Sequence, residues 1–253
     1  VALREDLTSR TYQHGGYVSF YVNDPKQRHI HKAGVRDRLL HHAVHRILCP
    51  FFVKTFIADS FSGQNNKGAH KAINRFKLMA GKVSKNYTAG CWVLKCDIKK
   101  LFPSVDHAIL LKILDEYMPD ADIFWLLKNI IESFPTGLPL GNLTSQLFAN
   151  IYMNVFDQWV KHKLKVRHYI RYADDFVFLS QDKLWLKNIV PQIRQFLSEK
   201  LKLTLHPNKM FLKTIASGID FLGWVHFSKH RILRATTKRR MFFRIKERAI
   251  PAT

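Results

Sequence analysis

Three carboxylates carry the chemistry this chain can do. Asp174 and Asp175 stand between two aromatic, β-branched runs, Tyr169-Ile-Arg-Tyr172 and Phe176-Val-Phe-Leu179, so the spacing predicts a hairpin with both acids at its tip. Asp97 closes another run of strand composition, Trp92-Val-Leu-Lys-Cys-Asp97-Ile98. Carboxylates that meet repel one another, and divalent cations are the usual remedy. Oxygen-only donors select Mg²⁺ or Mn²⁺ over zinc. Two such ions about 3.5 to 4 Å apart activate an attacking 3′-hydroxyl and stabilise departing pyrophosphate. An Asp-Asp tip alone is also an ordinary turn. The set decides between the two readings, because Lys26 and Arg28 sit near the tip of a second hairpin and the chain is strongly basic.

These side chains need a frame. Tyr17-Val-Ser-Phe-Tyr-Val22 and Arg28-His-Ile-His31 read as two strands around an Asn/Asp/Pro turn. Asp37 is expected to cap a helix with Leu39, Leu40, Ala43, Val44, Ile47 and Leu48 inward and Arg38, His41, His42, His45 and Arg46 outward. A polar loop over 60–68 precedes a helix of about 12 residues with Ala69, Ala72, Ile73, Phe76 and Met79 inward. Asp106 caps an amphipathic helix carrying Ile109, Leu110, Ile113 and Leu114. Phe134 to Gly141 holds two prolines and two glycines, a shaped loop that opens into the longest helix, from about Leu143 to Lys163. One row of that helix, Gln146, Asn150, Asn154 and Gln158, is amide, which reads as a solvated face or the wall of a groove. A helix over Lys183 to Leu201 follows, then strands around 203–205, 211–215 and 221–227. From residue 92 the order is that of a split βαβ, ferredoxin-like sheet, which would place Asp97 beside the Asp174-Asp175 tip.

Composition narrows the partners. The 253 residues are 47% hydrophobic and 24% charged, able to fold around a core. No run reaches the roughly 18 apolar residues of a membrane helix. Forty-one Lys and Arg against nineteen Asp and Glu give a net charge of +22, which favours a polyanion and, first among these, nucleic acid. Cys49, Cys91 and Cys96 are odd in number and lack metal-site spacing, so a reducing, intracellular setting fits. The chain starts without Met and stops soon after a basic stretch, and it reads as a fragment.

The ordered series of motifs resembles the reverse transcriptases along nearly the whole chain. Asp24-Pro-Lys26-Gln-Arg28 is similar to the fingers element that grips the incoming triphosphate. Cys96-Asp97-Ile-Lys-Lys-Leu-Phe102 resembles polymerase motif A, with Phe102 as the aromatic gate against a ribose 2′-hydroxyl. Tyr172-Ala-Asp174-Asp175 resembles motif C, the Tyr-x-Asp-Asp signature. Asn208-Lys209 resembles motif D, implying a proton for pyrophosphate from Lys209, and Phe221-Leu-Gly-Trp224 resembles the primer grip. The resemblance implies metal ligation by Asp97, Asp174 and Asp175 with Ile98 beside them. Leu138-Pro-Leu140-Gly141-Asn-Leu-Thr-Ser145-Gln146 departs from the family's usual Gln-Gly-x-x-x-Ser-Pro, with Leu140 for Gln and Gln146 for Pro. That form resembles the error-prone enzymes of diversity-generating retroelements. An aliphatic group beside the nascent base pair removes a hydrogen-bond restraint on base selection. In 60–70 Gln64 stands where relatives usually carry Arg, with Lys67 as its substitute.

The expectation is therefore an α+β right-hand polymerase fold with a ferredoxin-like palm: α/β fingers over 1–91, palm over 92–228, and a truncated thumb from 229. Part of 107–140 is expected to pack with the fingers. The expected activity is RNA-templated DNA synthesis from dNTPs with two Mg²⁺ (or Mn²⁺) ions, in a cytoplasmic prokaryotic or phage setting. The partners are template RNA and a primer or cDNA strand, together with a small basic accessory protein; no membrane is involved. The alternatives are a group II intron-like or retron-like reverse transcriptase, and a non-catalytic maturase-type RNA-binding module.

Overall fold

The computed structural model of the chain describes residues 2–23 and 26–249. In chain order the elements are α1 (Ala2–Thr8), β1 (Tyr17–Val22), β2 (Arg28–Ala33), α2 (Val35–Val53), α3 (Ala69–Val83), β3 (Trp92–Asp97), α4 (Leu101–Ser104), α5 (His107–Tyr117), α6 (Ala121–Glu132) and α7 (Leu143–His162). The remainder are β4 (Tyr169–Tyr172), β5 (Asp175–Ser180), α8 (Lys183–Leu201), β6 (Phe211–Thr214), β7 (Ile219–Phe221), β8 (Trp224–His226), β9 (Arg231–Leu233) and α9 (Ala235–Ala249). The chain forms two compact, interleaved units: 1–58, 98–165 and 192–206 in the first, 59–97, 166–191 and 207–253 in the second.

In the first unit β1 and β2 form the expected antiparallel hairpin, from Tyr17 opposite Ala33 to Val22 opposite Arg28. Asp24 and Pro25 of the expected turn lie outside the described residues. The expectation for α2 needs correction. Gly34, not Asp37, is its N-cap residue, and Asp37 is buried in the first turn, accepting from the Tyr12 hydroxyl (2.8 Å) and the Gly15 amide (3.1 Å). The buried face is also rotated from the expected one. Leu40, Val44, Leu48 and Phe52 are inside, whereas Leu39 and Ile47 are exposed and His41 is buried. His41 tolerates burial because His14 Nε2 (3.0 Å) and Thr144 Oγ1 (3.2 Å) engage its two ring nitrogens.

Asp106 caps α5 as expected, accepting from the Ile109 amide at 3.0 Å. Helix α7 packs against α2, α4 and α5 and is buried almost all round. Beyond the exposed Gln146, its amide row is correspondingly not a solvated face. Asn150 and Asn154 are buried; Asn154 Nδ2 donates to Thr55 Oγ1 (3.2 Å) and Gln158 Nε2 to Thr55 O (2.8 Å). The expected strand at 203–205 is reduced to one bridge, Ile98 with Leu205.

The second unit is built on a four-stranded antiparallel sheet in the order β4-β5-β3-β6, the split βαβ order. Helix α3 lies on β4 and β5, closing a core of Phe76, Met79, Val93, Ile170, Val177 and Leu179 among others. The run 221–227 is not one strand: Leu222 (φ +51°) and Gly223 (φ +83°) turn the chain between β7 and β8, and β9 completes a three-stranded sheet. Among the described residues no helix is long and apolar enough to cross a membrane.

Candidate active site

Strand pairing assembles the acids in the second unit. Asp97, the last residue of β3, stands directly opposite Asp175, the first residue of β5, and Tyr172 faces Asp175 from β4. Residues opposed in this way have Cβ atoms about 4.5–5.5 Å apart on one face of the sheet. The tip itself is Ala173-Asp174, so Asp175 belongs to the strand rather than to the turn. Ala173 adopts φ +54°, a left-handed conformation that costs roughly 1 kcal/mol without glycine. Tyr172 also packs against the α3 core.

Two lysines balance these acids. Lys209 Nζ lies 2.8 Å from Asp97 Oδ1, and Lys95 Nζ lies 3.1 Å from Asp175 Oδ2. Asp175 Oδ1 is buried without a hydrogen-bond partner. Burial pushes the Asp175 carboxyl up to about 7; Lys95 opposes that rise, and the charges of Asp97 and Asp174 add to it. Among the described residues no group of three or more His, Cys, Asp or Glu side chains forms a ready metal cage. The donor set nonetheless fits a hard divalent cation: it is all oxygen, and a positive ion would give the orphaned Oδ1 a partner and relieve the carboxylate repulsion.

The other candidates lie in the first unit. Arg28 opens β2 and is exposed, as is Lys26 ahead of it. The 134–141 loop docks on that hairpin. Leu140 O accepts from the His31 amide (2.8 Å), Asn142 Nδ2 donates to His31 O (2.9 Å), and Gly141 at φ +113° leaves no room for a Cβ, which would lie 2.7 Å from Ile30 Cγ2. Phe102 is half-buried in α4 and its carbonyl accepts from the Leu138 amide (2.8 Å). Gln146 is exposed in the first turn of α7, and Ile98 is fully buried. The structure thus brings Asp97, Asp175, Tyr172 and Lys209 together in one unit, and Leu140 and Gly141 onto the strand of Arg28 in the other. In the second unit Gln64 Nε2 donates to Ser60 O (3.0 Å), closing its own loop, and Lys67 packs over the Phe61 ring at 4.7 Å.

With this geometry in view, the family model described as "Reverse transcriptase (RNA-dependent DNA polymerase)" matches residues 23–226. The chain belongs to the reverse transcriptase family. Protein YkfC of Escherichia coli K12 is 26% identical to this reverse transcriptase, over 93% of the chain and 71% of YkfC. The group II intron-encoded protein LtrA of Lactococcus lactis is 23% identical over 87% of the chain, which spans only 48% of LtrA. Among solved structures, telomerase from Candida albicans in complex with a fragment of telomeric RNA aligns with a TM-score of 0.66 at 12% identity, covering 89% of this chain and 46% of that one. Apo telomerase from Candida tropicalis truncated from its C-terminal domain aligns at 0.65 and 11% identity, covering 88% and 55%. The right-hand polymerase fold is shared across that distance.

Two residues of this reverse transcriptase escaped the motif reading. Lys95 lies two positions before Asp97, on the same side of β3, and strand periodicity alone could have put it beside the acids. Arg171 is fully buried, with Nη1 donating to Ala173 O (3.1 Å) and Nη2 to Ser60 Oγ (3.2 Å). Its amide donates to Asp59 O (3.0 Å), and Arg75 holds the Asp59 carboxylate at 2.7 and 3.3 Å. Nothing in the sequence marks Arg171 as more than a charged strand residue.

Proposed function

We propose that this chain is the catalytic part of an RNA-templated DNA polymerase, with fingers over 1–91, palm over 92–228 and the start of a thumb from 229. The observation that carries the reading is the cross-strand pairing of Asp97 with Asp175, next to Asp174, inside the span matched by the family. Asp97 and Asp174 would hold two Mg²⁺ (or Mn²⁺) ions, supported by Asp175 and the Ile98 position. Bound there, the ions would ease deprotonation of the primer 3′-hydroxyl and offset charge on pyrophosphate. Lys26 and Arg28 hold the triphosphate of the incoming dNTP, Phe102 excludes a 2′-hydroxyl, and Tyr172 lines the substrate site. Lys209, whose ammonium already reaches Asp97, delivers a proton to the leaving group.

Primer extension on an RNA template with purified protein tests this. Wild type extends in Mg²⁺, and Asp174→Asn falls by at least 10²-fold. Equal incorporation by both rejects the assignment, and RNA affinity without any incorporation by wild type favours a maturase-type binding module.

Within the family we propose the error-prone form of diversity-generating retroelements, working in a prokaryotic or phage-infected cytoplasm with a small basic accessory protein. Leu140, Gly141 and Gln146 support it, since an aliphatic Leu140 leaves the templating base pair unrestrained. The likeness to LtrA favours a second reading, a group II intron-type enzyme. Sequencing of the cDNA separates them: errors concentrate opposite template adenines in the first case, and the spectrum is flat in the second.

A further inference from the structure

The second unit holds a cavity of about 170 Å³ that shares no residue with the carboxylate cluster. Its walls come from α3, Tyr87 and the segment joining β8 to β9. Lys77, Lys229 and Arg231 bring three cations to it, and no carboxylate lines it. An anion is the ligand such a lining selects. Arg231 is oriented in advance, with Nη1 donating to Asn74 Oδ1 (3.2 Å) and its guanidinium 5.0 Å from the centre of the Trp224 ring.

The remaining wall is aromatic apart from Ala80 and Ile215. Tyr87 and Phe227 face the space, and Phe227 is itself stacked on His230 at 4.9 Å and 17°. His226 lies behind them, 3% exposed and 4.8 Å from the Phe76 ring. Its Nε2 is engaged with Phe221 O at 3.4 Å, and burial pushes the imidazole down to about 4, so it adds no charge to the wall. The volume falls short of the roughly 300–1,000 Å³ of drug-sized sites and suits one planar ring. Flat aromatic walls with a cationic rim accept a base by its face and a phosphate at the edge.

We propose that this cavity binds a single nucleoside monophosphate unit, its base against Tyr87 and Phe227 and its phosphate on Lys77, Lys229 and Arg231. The unit is either a free nucleotide or one unpaired nucleotide of an RNA strand. The proposal stands on the cavity alone and does not depend on the polymerase activity.

Titration calorimetry with the whole chain in Mg²⁺-free buffer tests it, using AMP, adenosine and inorganic phosphate as probes. AMP binds at least tenfold more tightly than adenosine or phosphate. Lys77→Glu, a change at an exposed helix position, weakens AMP at least tenfold, Lys77→Gln does so to a lesser degree, and Asp174→Asn leaves it unchanged. An RNA hairpin with a one-nucleotide 3′ overhang then identifies the source: displacement of AMP beyond that by the blunt hairpin assigns the cavity to a strand, and no displacement assigns it to free nucleotide. AMP binding no better than phosphate, AMP binding indifferent to both Lys77 variants, or loss of AMP in Asp174→Asn overturns the proposal.

Discussion

Arg171 shows how one side chain sustains the acidic tip from behind. The tip carries a left-handed Ala173, and the guanidinium of Arg171 ties its carbonyl to Ser60 in the flanking loop. Replacing it by Leu takes the guanidinium donor from the part-buried Ala173 carbonyl and leaves Ser60 Oγ with only the longer 3.4 Å contact from Gln64 Nε2, at a total cost of about 1–3 kcal/mol. Arg171→Leu should therefore lower the urea midpoint and slow single-turnover extension, with little change in RNA affinity. Arg171→Lys should recover only part of the loss, because an ammonium lacks the planar fork that spans two acceptors. A variant with wild-type midpoint and rate would show that the tip keeps its shape unaided.

Helix α2 marks the boundary of what the sequence could reveal. Its existence follows from apolar periodicity, but the helix extends to Val53, beyond the periodic positions, and the buried stripe runs through Asp37 and His41 while Leu39 and Ile47 face out. Polarity misled the pattern because both buried polar groups find partners far along the chain: Tyr12 and Gly15 for Asp37, His14 and Thr144 for His41. The amide row of α7 fails to read as buried for the same reason, since its partner Thr55 lies about a hundred residues away. By contrast, the approach of Asp97 to the Asp174-Asp175 hairpin was legible, because composition marks each strand and the split βαβ order sets the two side by side, although Asp175 proved to open β5 and not to sit in the turn. Burial has a measurable consequence in His41, which desolvation and the neighbouring His14 push down to about 4. The imidazole stays neutral in the fold, whereas in the unfolded chain it takes up a proton near 6.5. Its stabilisation is complete above about 6.5 and is lost as pH falls toward 4. Thermal midpoints measured from pH 7.5 to 4.5 should fall, and His41→Gln should flatten that slope. An unchanged slope would place the acid sensitivity elsewhere, His226 being the other histidine pushed down to about 4.

At the scale of the whole molecule the net charge of +22 dominates. If six to ten phosphates are neutralised on binding, affinity for RNA should drop by about 10³ to 10⁵ between 50 and 200 mM salt. A binding isotherm series in KCl gives the slope directly, and a shallow one would mean that the positive surface does not meet the strand. The interleaving of the two units sets a further condition on biosynthesis. The polypeptide passes five times from one unit to the other, so no single cut in the gene yields either unit whole. During translation the first unit stays incomplete until residue 206 has left the ribosome. Expressing either half by itself should give aggregation-prone material, and co-translational closure of the first unit must wait until the segment 192–206 has emerged.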